Sequence, residues 1–328
     1  MRVALSGLLA LAGLVLLPDR GWSAECGPLK LINQVQLQPM KEGGRDLIPV
    51  SINGVEKLFI LDTGTGITTV SRTVADELKL PVRQGDYTLY DMAGNISRDQ
   101  AAVKEFAFGR ARLNDTFLPV LSMSVGLFGV DFLKAYDTDL DFGSDTLRVF
   151  SPDHCPGGVL YWQAPATGVV PIRVDDNTIT VLVTLDGHEI HAIIDTGASQ
   201  TTMSQDIARS VFGLTLGAPG VDEVRDIPGA PGYKVYAHTF TSLSFGDIQV
   251  NNPRVNLMPD LMGRNEERQQ LAGNRARTEK DLIKMPELII GMNVLRKLHV
   301  YMAFKEGRLY VSPASVAGTQ GAPASGSK

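Results

Sequence analysis

The amino-acid sequence predicts an all-β protein built from two homologous lobes with a few short helices. Three observations carry that prediction. An Asp-Thr-Gly tripeptide occurs twice behind matching apolar runs, an apolar-apolar-Gly segment follows each copy downstream, and short β-branched runs punctuated by Gly, Asn, Asp and Pro fill most of the chain. At 328 residues the chain has room for two mid-sized units, each with its own core.

From the N-terminus, Met1 and Arg2 lead into an apolar run from Val3 to Leu17, broken by Pro18 and followed by Ser23-Ala24-Glu25. A cationic start, an apolar run of about 15 residues and a small-residue exit describe a secretory signal peptide over 1–24. The run falls short of the roughly 20 residues that a membrane span needs. Removal near Ala24 would leave no stable membrane span and place the chain in a periplasm or outside the cell; an uncleaved anchor is the alternative. The two cysteines, Cys26 and Cys155, sit in loop-like surroundings, so that an exported chain either joins them in a disulfide or keeps two free thiols. The net charge is -5 with mixed signs, and no basic patch marks a nucleic-acid partner.

The first lobe is expected over 25–155 and the second over 156–312. Ile48–Gly54 followed by Leu58–Gly64 matches Thr180–Gly187 followed by Ala192–Gly197, and Gly54 precedes Asp62 by the same spacing as Gly187 precedes Asp195. Leu127–Leu133 likewise matches Ile289–Leu295, with the correspondence running on without a gap from Phe142 and Phe304 to Val149 and Val311. Each copy opens with apolar runs around a polar-glycine turn, which predicts a β-hairpin ending at its aspartate. Short helices are expected over 72–80 and 205–211. Residues 257–286, rich in Arg, Glu, Gln, Asn and Lys, have no counterpart in the first copy and are expected as an insertion, partly helical or a polar loop. Residues 313–328, mostly Ala, Ser, Gly and Pro, are expected as an unstructured tail.

A single Asp-Thr-Gly is a weak signal, because aspartate and glycine end strands in many folds. Two copies in the same extended context point to a pair of carboxylates. On Ile60-Leu-Asp-Thr-Gly64 with Leu127-Phe-Gly129, and Ile193-Ile-Asp-Thr-Gly197 with Ile289-Ile-Gly291, each half resembles a retropepsin-like aspartic protease subunit and the whole a single-chain pseudo-dimer. Thr65-Gly66 departs from the Ala-Ser or Ser-Ser usual after the motif.

The resemblance implies two retropepsin-like β-barrel lobes whose loops meet, with Asp62 and Asp195 as catalytic residues of an aspartic endopeptidase. Two close carboxylates cannot both ionise cheaply, so such a dyad holds one proton, and one member acts as base on a bound water while the other acts as acid. Thr63 and Thr196 would bond across the interface, and Gly64 and Gly197 would let the backbones approach. The Thr65 hydroxyl is expected on Asp62, where Ala198 offers Asp195 nothing, which would make Asp62 the ionised member. Flap hairpins are expected with turns at Ala93-Gly94-Asn95 and Pro228-Gly229-Ala230, closing over an extended peptide or unfolded protein substrate.

No cofactor and no metal is implied. His188 and His191 lack a third ligand, and Asp137, Asp139 and Asp141 are expected on a solvated strand edge. Two rival readings leave the motifs intact: a peptide-binding module that does not cut, and an obligate homodimer whose lobes pair between chains.

Overall fold

The protein is described here from a computed structural model covering residues 26–41, 43–90, 96–175, 177–227, 230–259 and 286–314. Each lobe starts with a hairpin whose turn is written in its residues. Asp46–Ile52 returns as Val55–Leu61 through Asn53-Gly54, and Thr178–Leu185 returns as His188–Ile194 through Asp186-Gly187. All four turn residues have positive φ (51° and 81°, 44° and 83°), the two-residue turn whose twist suits the flanking strands. Alternation then buries Ile48, Val50 and Ile52 in one copy and Ile179, Val181, Val183 and Leu185 in the other.

The returning strand of each hairpin is flanked by a second, parallel strand. Phe59–Leu61 runs beside Gly126–Phe128, and Ala192–Ile194 beside Leu288–Ile290. This pairing brings segments far apart in sequence under the two Asp-Thr-Gly loops. The short helices form at Arg72–Glu77 and Gln205–Ser210, where Ser71 and Ser204 cap free N–H groups at 3.1 Å. Long hairpins complete the lobes, with Val82–Tyr90 paired to Ile96–Phe108 in the first and Val221–Ile227 to Ala230–Thr239 in the second.

Six strands join the lobes, in the order Leu31–Gln36, Thr146–Phe150, Asp137–Asp141, Leu298–Ala303, Arg308–Pro313, Gly168–Asp175. The two central strands come one from each lobe, and Asp139 pairs with Tyr301, its own counterpart in the repeat. One face of this sheet packs Leu140, Leu147, Val149, Val300, Met302, Leu309 and Val311 into the main core. The other face is covered by the segment linking the lobes, where Val159 and Trp162 pack on Phe150, Tyr301 and Tyr310. Cys26 and Cys155 are joined in a disulfide that ties the chain's first described residue to this linking segment.

Several expectations change. Asp137, Asp139 and Asp141 do not line a solvated edge; their strand is central and all three are buried, because the linking segment roofs that face. Leu257 and Met258 belong to the strand Arg254–Met258 rather than to an insertion, and Pro313 ends the strand Arg308–Pro313 rather than starting a tail. The signal segment 1–24, the body of the insertion (260–285) and the tail from 315 lie outside the described residues. Among the described residues no helix is long and apolar enough to cross a membrane.

Candidate active site

Asp62 and Asp195 end their strands at the junction of the lobes, each with its backbone N–H on the carbonyl of the parallel neighbour, Phe128 and Ile290, at 3.0 Å. Their loops are locked to each other by the two threonines. Thr63 N–H donates to Thr196 Oγ1 (3.0 Å) and Thr196 N–H to Thr63 Oγ1 (3.1 Å), while the hydroxyls donate to Ile194 O and Leu61 O at 2.7 Å. Both threonines are fully buried, so all four bonds are shielded from water.

The glycines set how close the carboxylates come. A Cβ on Gly64 would lie 2.3 Å from Cγ of Asp195, and a Cβ on Gly197 the same distance from Cγ of Asp62. Each carboxylate thus occupies the space that a side chain on the opposing loop would fill. The two carboxyl groups therefore face each other at close range, and each shifts the other's titration.

Below the loops a second layer repeats in both lobes. The Asp131 carboxylate accepts from Thr68 N–H (3.0 Å) and its hydroxyl (2.7 Å), as Asn293 Oδ1 accepts from Thr201 N–H (2.7 Å) and its hydroxyl (2.8 Å). The same threonine oxygens accept from Gly129 and Gly291 N–H at 3.0 and 3.1 Å. Val130 and Met292 N–H close the layer on Thr65 O and Ala198 O at 3.0 and 2.8 Å. Sequence reasoning missed Thr68, Thr201, Asp131 and Asn293. The signal was present, since the two threonines stand at equal distance after their aspartates and Asp131 aligns with Asn293.

Cross-lobe contacts also differ between the halves. The Arg296 guanidinium, in the second lobe, donates to Gly44 O (3.0 Å) and to the carboxylates of Asp145 (3.2 Å) and Asp46, the last fully buried. At the matching place in the first lobe, Lys134 donates to Asn177 Oδ1 (2.6 Å), and Asn177 donates to Gly66 O (2.8 Å).

Electrostatics single out the dyad. Burial and the Asp195 charge push Asp62 up to about 7, against the pull of the Gly64 and Thr65 N–H groups. Burial also raises Asp195, opposed by the Gly197 and Ala198 N–H groups and by its bond with Asp62. Both carboxyls are thus held above the ordinary aspartate value, and the pair titrates as a unit. The expected Thr65 contact is absent: its hydroxyl lies 3.4 Å from Ile67 O, while its N–H, like that of Ala198, bonds the neighbouring aspartate at 3.0 Å. The asymmetry that was to keep Asp62 ionised is thus not built by that side chain.

Of the expected flap residues, Ala93, Gly94, Asn95, Pro228 and Gly229 lie outside the described residues, while the Ala230 backbone pairs with Ile227. His191 faces the Glu287 carboxylate at 3.5 Å, and His188 packs edge-on against Phe212.

Two half-buried carboxyls thus face each other on interlocked loops of two related lobes. The family model for aspartyl proteases matches residues 48–132 and 181–294, and the chain belongs to that family. No curated protein matches the sequence. Among solved structures, a retropepsin-like aspartic protease from Rickettsia conorii is similar over 46% of this chain and 93% of its own, at 18% identity and a TM-score of 0.31. Basic 7S globulin from soybean is similar over 88% of this chain and 96% of its own, at 10% identity and a TM-score of 0.46.

Proposed function

We propose that the protein is an exported aspartic endopeptidase that cleaves extended peptides or unfolded proteins with water activated by Asp62 and Asp195. The observation that carries this reading is the close approach of two half-buried carboxyls, each seated against a glycine of the opposite loop. A peptide-binding module has no need of two facing carboxyls that both hold their protons more tightly than a free aspartate. The ionised member takes a proton from water as the water oxygen attacks the scissile carbonyl carbon, and the protonated member gives its proton to the carbonyl oxygen. Collapse of the resulting diol breaks the C–N bond: the nitrogen takes the dyad's proton and leaves as the amine, while a diol hydroxyl returns its proton to the dyad and becomes the product carboxyl group. Because both loops interlock within one chain, the active unit is a monomeric pseudo-dimer. The paired strands Val82–Tyr90 with Ile96–Phe108 and Val221–Ile227 with Ala230–Thr239 are the covers of the substrate groove.

Export is supported by the signal-like residues 1–24 and by the disulfide, a bond that persists in oxidising compartments such as a periplasm or the cell exterior.

The test is hydrolysis of an unstructured protein by the purified chain across about pH 3 to 8, beside Asp62→Asn and Asp195→Asn. Activity should be lost in either variant and in the wild type should fall as pH rises through about 7, where the dyad gives up its proton. Cleavage that survives both substitutions, or tight peptide binding with no cleavage, would sink the proposal. Activity that rises with the square of protein concentration would replace the monomer with an exchanged dimer.

A further inference from the structure

The outer face of the interlobe sheet carries ionisable groups that the dyad does not use. His154 belongs to the segment linking the lobes, beside the disulfide, with its side chain 2% exposed. Both ring nitrogens face acceptors. Nε2 meets an oxygen of the Asp137 carboxylate in a short contact, and Nδ1 lies 3.0 Å from the Cys155 carbonyl and 3.6 Å from a Glu306 oxygen. A neutral imidazole has one N–H and one lone pair and cannot donate both ways, whereas the imidazolium can. The acceptors are themselves held as acceptors. Asp137 also receives the Tyr301 hydroxyl (3.3 Å), and Glu306 receives Gly157 N–H (3.0 Å) and the Tyr310 hydroxyl (2.7 Å).

We propose that His154 is a proton-operated clasp: protonated, it fastens the linking segment to Asp137 in a central strand of the interlobe sheet, and loss of its proton as pH rises releases that segment and loosens the join between the lobes. The surrounding charges favour this direction. Facing His154 are Asp137 from the central strand, Tyr301 from its neighbour and Glu306 from the turn beyond; on its own segment, Asp153 is paired with Lys305 at the exposed rim. Deeper in the cluster, Arg148 is the permanent cation beside Asp139 and Asp141, and Asp139 also bonds His299 and the Tyr161 hydroxyl. Loss of the His154 proton leaves buried carboxylates in excess of the cations that face them. His299 differs in geometry, since among the described residues its Nδ1 is buried with no hydrogen-bond partner.

Burial opposes the charge on His154, but the Cys155 carbonyl, Asp137 and Glu306 outweigh it, and its pKa is raised; burial raises Asp137 as well. For a histidine raised in the native state, the added stability is complete below the unfolded value of about 6.5 and is lost as pH rises through the native value. The disulfide keeps the released segment tethered, so that the change is reversible.

The experiment is thermal melting of the purified chain, disulfide intact, from about pH 5 to 9, wild type against His154→Gln. The wild type should lose about tenfold in its folded-to-unfolded ratio for each unit by which the native pKa of His154 exceeds the unfolded one, and the variant should lack that loss. Parallel curves for the two proteins would overturn the clasp. If the variant does not fold, the wild type alone decides, by NMR titration of the His154 ring beside exchange of the Gly157, Gly158 and Tyr161 amides corrected for base catalysis. The clasp requires the ring to titrate above about 6.5 and the amides to open with the same midpoint; a ring already neutral at lower pH, or amides indifferent to it, overturns the proposal. None of these readouts needs hydrolysis, so they stand whether or not the dyad cuts peptides.

Discussion

Asp62 and Asp195 each receive two backbone N–H groups from their own loop and each abut a glycine of the other loop, above threonine-centred layers that share the same central bonds. One step further out the match ends: Arg296 binds a buried first-lobe carboxylate, and Lys134 at the corresponding place binds only a neutral amide. The difference teaches where the fold demands symmetry. Two carboxyls that face each other across the junction of related lobes must be presented alike, because an offset on one side moves both apart. Side chains that merely hold lobe to lobe meet no such condition, and the two copies have been free to diverge there.

The largest test of this symmetry is the pair Gly64→Ala and Gly197→Ala. Each new methyl would fall within 2.3 Å of the opposite Cγ, so one loop must retreat. A displacement on the order of 1 Å costs about 100-fold in rate, and the two variants should lose kcat to the same extent with similar KM. A variant that keeps wild-type kcat while its partner is dead would break the claim of equal presentation.

These core positions were readable in the sequence because they recur. Asp62 and Asp195, Thr63 and Thr196, and the two hairpin turns are all fixed by local pattern plus repetition, and short-range physics decides each. The cross-lobe contacts were not readable. Arg296 meets Asp46 across 250 positions of sequence, with no counterpart in the other copy to draw attention to it. The alternating aspartates 137, 139 and 141 misled for a related reason. A period of two with acidic side chains reads as a wet face, and only the roof formed by the linking segment makes it dry. The Thr65 hydroxyl failed at a finer level, since a side chain next to a carboxylate in sequence need not turn toward it.

A middle-sized effect should separate Arg296→Met from Lys134→Met. Removing the guanidinium leaves Asp46 buried without its cation, and breaking such a pair costs about 3 kcal/mol. The Lys134 bond to Asn177 is exposed and neutral at one end, and its loss should cost less than about 1 kcal/mol. Urea unfolding of both variants measures the contrast. Equal losses would mean that the outer contacts are as symmetric in energy as the inner ones, and the division drawn between them would fail.

The smallest expected effect is the most pointed. A hydrogen bond to the ionised form lowers a carboxyl pKa, so a Thr65 hydroxyl resting on Asp62 would hold the acidic limb of the pH–rate profile down, and Thr65→Ala would raise it. In the structure that hydroxyl faces Ile67 O at 3.4 Å, while the bond Asp62 does receive comes from the Thr65 N–H, which alanine keeps. Thr65→Ala should therefore move neither limb by more than about 0.3 pH unit, leaving the upper one near about 7. The reverse substitution, Ala198→Thr, should be equally silent if the two loops are equivalent at this position. An acidic limb that climbs in Thr65→Ala would show the hydroxyl turning onto Asp62 when substrate binds, and the dyad would then be asymmetric at its centre, where its backbone is not.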